Sequence, residues 1–172
     1  MKKLMLSVLG AVALSLTACG TNTGDVVPQQ PTPELGMELR LRGENLGDYG
    51  TALVHVRRIS ITTPEGLPVP AQLSARHALD LGLANHSHLL GRFSVPEGVD
   101  RVWVEVEFDD FGGFEDAEGG GTIDTRVAPL RFEAPVEYLT TRQRAVVHLN
   151  VARSLAGKGE ERLLLPSMDV RF

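Results

Sequence analysis

Between Val102 and Phe108 every second residue is apolar. Val102, Val104, Val106 and Phe108 project to one side of the chain, and Trp103, Glu105 and Glu107 project to the other. Only a β-strand gives such a run one dry and one wetted face, because a helix would scatter its apolar positions around the circumference. The same period returns at Met37-Leu39-Leu41, interleaved with Glu38, Arg40 and Arg42. It appears again where Ala145, Val147, Leu149 and Val151 alternate with Val146, His148 and Asn150. Across Thr51 to Ile61 the phase changes: Ala52, Val54 and Val56 share one face, then Ile59 and Ile61 take the other. A bulge or bend is therefore expected at Arg57-Arg58. Further strands are expected near Ala75–Leu81, Leu89–Val95, Ile123–Phe132 and Arg162–Phe172.

Turn residues separate these runs. Thr63-Pro64-Glu65-Gly66 and Val95-Pro96-Glu97-Gly98 each combine a proline that presets φ with a glycine that accepts positive φ. The second is expected to close a tight hairpin. Gly112-Gly113 and Gly119-Gly120-Gly121 are expected to mark a long mobile loop. Only Val151–Ala156 reads as helical, a single turn closed by Gly157. The resulting fold class is all-β, an antiparallel β-sandwich of about seven or eight strands, immunoglobulin-like or transthyretin-like, with at most one short helix.

The N-terminus follows a different logic. Met1-Lys2-Lys3 is basic, and Leu4–Leu16 is a mostly apolar run, shorter than the ~20 residues that cross a bilayer but suited to a secretory leader. It ends in Leu16-Thr17-Ala18-Cys19. This resembles the signal of bacterial lipoproteins, whose lipobox cysteine is acylated and becomes the mature N-terminus. The resemblance implies a leader over residues 1–18 and a diacylglyceryl or palmitoyl anchor on Cys19. One acyl chain holds a protein weakly at a membrane and two or more hold it firmly. Gly20, rather than aspartate, follows the cysteine, so the outer membrane or cell surface is favoured over the inner membrane. Gly20 to Leu35 carries Pro28, Pro31 and Pro33 and has no strand or helix period, which makes residues 19–35 an extended tether of up to roughly 50 Å. The β-domain then occupies residues 36–172.

Composition narrows the partners. The chain has 172 residues, 42% of them hydrophobic, a formal net charge of −5 and no second cysteine. Disorder and a disulfide scaffold are excluded. Removal of Lys2 and Lys3 with the leader takes the charge to −7, which opposes contact with a phosphate backbone, so nucleic acid is not an expected partner. The membrane, through Cys19, and another envelope protein are.

From Ala52 to Phe172 the order of segments is ALVHVRRISI, a proline loop, LDLGL, FSVPEGVDRVWVEVEF, then LNVARSL and ERLLLPSMDVRF. This order resembles an uncharacterised bacterial lipoprotein family known only as a domain of unknown function. The resemblance implies an envelope sandwich and supplies no active site.

Chemistry is concentrated in the histidines. In Asn85-His86-Ser87-His88, positions i and i+2 of an extended chain share a side, so His86 and His88 are candidate metal ligands, with His148 or His55 to complete the set and His77 as a fifth candidate. Imidazole nitrogens suit copper or zinc. A histidine site on a secreted sandwich is similar, in architecture, to copper-dependent superoxide dismutases. That similarity implies a copper cofactor and redox catalysis. The departures are plain: no histidine lies between His88 and His148, and Cys19 has no partner for that family's disulfide. Asp109-Asp110 with Glu115-Asp116 offers oxygen ligands for calcium or, without the EF-hand spacing, a solvated hairpin tip. Phe111 and Phe114 are expected to dock on the domain itself or on a partner. Trp103 either covers a second core layer or forms an exposed binding spot. Ser74, Ser87 and Ser94 lie in no nucleophile-elbow motif.

Two functions follow as expectations, and a third, binding of a small molecule or glycan, has only Trp103 in its favour. The first is a non-enzymatic, lipid-anchored envelope component that binds another component. The second is a surface copper protein, an enzyme only if it is dismutase-like.

Overall fold

The structure is a computed structural model and describes residues 36–83 and 85–172. The expected leader, Cys19 and the tether lie outside the described residues. The fold is all-β, with several mostly antiparallel sheets packed around one core.

The first sheet is built on β1 (Met37–Glu44). This strand pairs in parallel with β11 (Arg144–Asn150), from Glu38↔Arg144 to Glu44↔Asn150, and antiparallel with β6 (His88–Phe93). β4 (Ala71–Leu73) and β14 (Met168–Arg171) flank them, in the order β14-β11-β1-β6-β4. Leu39 and Leu41 on β1, Leu90 and Phe93 on β6, and Val147 and Leu149 on β11 are all buried. Each fully buried leucine stabilises the fold by roughly 1.5–3 kcal/mol.

The second sheet has β7 (Arg101–Phe108) between β3 (Val56–Thr62) and β10 (Leu130–Pro135). The alternation read from the sequence is realised: Val102, Val104, Val106 and Phe108 are buried. The third sheet comprises β2 (Tyr49–Val54), β5 (Leu79–Asp80), β8 (Phe111–Asp116), β9 (Gly119–Asp124), β12 (Leu155–Ala156) and β13 (Glu161–Leu164). Buried apolar residues from all three sheets belong to one cluster.

The phase change around Arg57-Arg58 marks a strand that changes sheet. β2 pairs with β5 and β8, His55 sits exposed at the corner, and β3 continues against β7. The register with β7 slips between Val56 and Arg58, so Val56 and Ile59 both reach core-side partners while the two arginines stay exposed.

Several expectations are corrected. Pro96-Glu97-Gly98 does not close a hairpin; it carries the chain from β6 in the first sheet to β7 in the second. The glycine-rich stretch is not a loop but the β8–β9 hairpin. Asp116 Oδ1 accepts from the Glu118 and Gly119 amides at 2.9 and 3.1 Å and closes its turn. The described residues form fourteen short strands rather than seven or eight. Ala75–Leu81 contracts to β5, residues 125–129 divide β9 from β10, and Pro166, which lacks a ladder donor, lies between β13 and β14.

Two helices form instead of one. α1 (Val136–Arg142) has Glu137 in its first turn and Arg142 in its last, as the helix dipole favours, and buries Leu139. α2 (Val151–Ser154) is capped by Asn150, whose side chain accepts from the Arg153 amide at 3.1 Å.

The segment after β5 lies hard against β1. A Cβ on Gly43 would stand 2.8 Å from the Leu81 carbonyl carbon and overlap its oxygen. Gly43→Ala is therefore expected to lower stability by about 1–3 kcal/mol, because backbone must move to admit the methyl group. Gly36→Ala, with open space around it, is expected to stay within about 0.5 kcal/mol of the parent. Urea midpoints of the two variants check this.

Candidate functional site

The five histidines are placed in four different parts of the fold. His86 and His88 stand together at the start of β6, their ring centroids 4.4 Å apart and their planes at 67°. The His88 Nε2–H donates to the Asp80 carbonyl oxygen at 2.8 Å. The arginines of β1 hold this segment: Arg40 donates to the Ser87 carbonyl at 3.0 Å and Arg42 to Asn85 Oδ1 at 2.6 Å.

His148 is not part of this group. The Cα partner of His88 on β1 is Leu41, whereas the partner of His148 is Arg42. Consecutive residues of a strand point to opposite faces, so β1 puts the two imidazoles on opposite sides of the sheet. His148 is on the outward face, as expected from the sequence, yet it is only 8% exposed. Its Nδ1 lies 2.6 Å from Glu44 Oε1, and Asp169 on β14 is its other Cα partner. His55 is exposed at the β2–β3 corner, where its carbonyl accepts from the Asp109 amide, and His77 is exposed between β4 and β5. Among the described residues no three His, Cys, Asp or Glu side chains are grouped to hold a metal ion. His86 and His88 are thus in ring contact with each other, and neither His148 nor His55 joins them.

The three aspartates of the acidic stretch are each held by an arginine. Asp109 and Asp110 pair with Arg57, and Asp116 pairs with Arg162 at 3.2 Å. Arg126, through its side chain first, holds Asp124 down to about 2. Phe114 is buried on the domain beneath Arg162, whose guanidinium carbon is 4.5 Å from the ring centroid, while Phe111 stays half exposed beneath Arg126.

Trp103 resolves in favour of exposure. It covers no second core layer: 49% of it is accessible, in the middle strand of the three-stranded sheet. Its Cα partners are Thr62 on β3 and Glu133 on β10, and the next outward row is Ser60, Glu105 and Arg131. Arg101 pairs with Glu133 at 3.1 Å, Arg131 with Glu105, and Arg58 with Glu107. A groove of about 400 Å³ runs along the indole. This face can grip a ligand by stacking on one aromatic ring and hydrogen bonding to a fixed polar surround. Outward projection of Trp103 was readable from the sequence; its neighbours were not, because they come from β3 and β10.

The Glu44–His148 pair yields a pH dependence. Its hydrogen bond to His148 is the main reason that the Glu44 carboxyl lies below its ordinary 4.5, against the opposing pull of burial. A carboxylate with a depressed folded pKa stabilises the protein above its unfolded value, and that contribution disappears as pH falls through the folded one. Glu44→Gln is expected to cost about 1 kcal/mol at neutral pH. The gap to the parent should narrow as pH drops below 4.5, as read from denaturation midpoints across pH.

Compared with protein-family models, curated proteins and solved structures, the chain matches none.

Proposed function

We propose that this chain is a lipid-anchored β-sandwich of the bacterial cell envelope, serving as a binding component with the outward face of β7 as its contact surface. The observation that carries the binding half is Trp103, a large ring kept half in water at the centre of an ordered sheet. Burying an exposed indole contributes more to association than most other surface changes, which is why tryptophan is enriched at binding hot spots. The anchoring half rests on Lys2-Lys3, the apolar run Leu4–Leu16 and the lipobox Leu16-Thr17-Ala18-Cys19. Anchoring through Cys19 and a tether to residue 35 would keep the domain at high local concentration beside its target, so modest affinity per contact would suffice. With Gly20 behind the cysteine, the outer membrane or cell surface is the favoured site.

Two measurements test this reading. Cys19→Ser is expected to abolish labelling by radioactive palmitate and move the chain from the membrane pellet to the soluble fraction. Trp103→Ala is expected to weaken saturable binding of the detergent-solubilised chain to isolated envelopes by about tenfold or more, a loss near 1.4 kcal/mol, with an unchanged thermal midpoint. Retention of the Cys19→Ser chain in the membrane, or undiminished binding by Trp103→Ala, would overturn the corresponding half.

Copper is the second reading, favoured by the ring contact between His86 and His88. These two imidazoles would supply the nitrogen ligands, and bound copper would bring one-electron chemistry. Calorimetric titration of the full chain with copper is expected to show one saturable site that the His86→Ala/His88→Ala double variant loses. No binding at micromolar copper sinks it.

A further inference from the structure

We infer that the ligand of the Trp103 face is an uncharged saccharide; this rests on the binding reading above and names the ligand class. Three properties of the face point there. The first is its charge. Each arginine beside the indole is paired in place: Arg101 with both Asp100 and Glu133, at 3.5 and 3.1 Å, and Arg131 with Glu105. With its arginines engaged in this way the face does not draw an anion, and the chain as a whole, at −5, repels phosphate backbones.

The second property is the polarity of the surround. Thr62 and Glu133 sit across from Trp103, and Ser60 and Arg131 sit across from Glu105. A pyranose is held by an aromatic platform together with hydrogen-bonding groups at its edge. Here hydroxyl, carboxylate and guanidinium groups flank the anchor on β3, β7 and β10, with Pro68 bridging Thr62 on the far side. Serine and threonine each offer a donor and two acceptor lone pairs, and the planar arginine–carboxylate pairs keep their outer edges available. A pyranose ring has the complementary form: one face of C–H groups for the indole and a rim of hydroxyls for the polar surround.

The third property is rigidity and size. Trp103 stands on a strand hydrogen-bonded on both sides, so the platform loses little freedom when it is occupied. The groove of about 400 Å³ lies within the range of small-ligand sites.

Trp103 is the chain's single tryptophan, so its emission reports on this face alone. The detergent-solubilised full chain is titrated with maltohexaose, cellohexaose and chitohexaose, and with a polygalacturonate hexamer as the charged comparator. At least one neutral hexamer is expected to give a saturable blue shift and to bind about tenfold or more tightly than the polyanion. Calorimetry should show the binding lost in Trp103→Ala and weakened in Thr62→Val, but retained in Leu163→Ala, an exposed leucine on the third sheet. Absence of a saturable response to every neutral hexamer at millimolar concentration overturns the inference, as does tighter binding of the polyanion. If the hexamers fail while envelopes still retain the chain through Trp103, the saccharide is wrong and the binding surface stands. If both fail, the binding reading falls with it.

Discussion

The placement of β1 between β11 and β6 is the constraint on which the rest of the molecule depends. One strand supplies Leu39 and Leu41 to the core on one face and Glu38, Arg40, Arg42 and Glu44 to the other. Because β11 joins it in parallel, the chain must cross over between them, and the strands of the other two sheets formed on the way share one apolar core with β1. The contact of Gly43 with the Leu81 carbonyl belongs to the same closure, since it lets the segment after β5 lie directly on β1. The polar face of β1 meanwhile positions the His86–His88 segment from one side and His148 from the other strand.

Charge pairing governs the outer surfaces. Arginines and carboxylates meet across neighbouring strands on the first and second sheets, from Arg92–Glu38 to Arg101–Glu133. Exposed pairs of this kind add little stability, between about 0 and 1 kcal/mol each. Their effect here is to leave flat sheet faces polar, hydrated and locally neutral. Against that background an accessible indole stands out chemically, because water leaves it more readily than it leaves the ion pairs around it. The same pairing engages Asp109, Asp110 and Asp116 of the acidic stretch, which meet Arg57 and Arg162.

The histidines illustrate where local spacing stops being informative. His86 and His88 are two residues apart, and the proximity inferred from that spacing is present in their ring contact. Whether His148 joined them depended on which residue of β1 it faced. A shift of one residue in register exchanges the two faces of a strand, and the observed register gives Leu41 to His88 and Arg42 to His148. The glycines taught a related lesson. Gly112 and Gly121 looked like loop residues, yet they lie in paired strands where a Cβ would overlap the carbonyls of Leu53 and Glu160. Close approach, not flexibility, is their role there.

The sequence by itself determined that the domain is all-β, which faces of β1, β7 and β11 are dry, where the strand through Arg57-Arg58 changes phase, and that Trp103 points away from Val102 and Val104. These follow from alternation, which is a property of neighbouring residues and survives any tertiary arrangement. The tertiary structure alone decided that Pro96-Glu97-Gly98 joins two sheets, that Leu139 anchors a second helix, that His148 is sealed against Glu44, and that Thr62 and Glu133 flank the indole. Each of those outcomes joins residues far apart in the chain, and their meeting depends on sheet order and register, which short-range pattern does not encode.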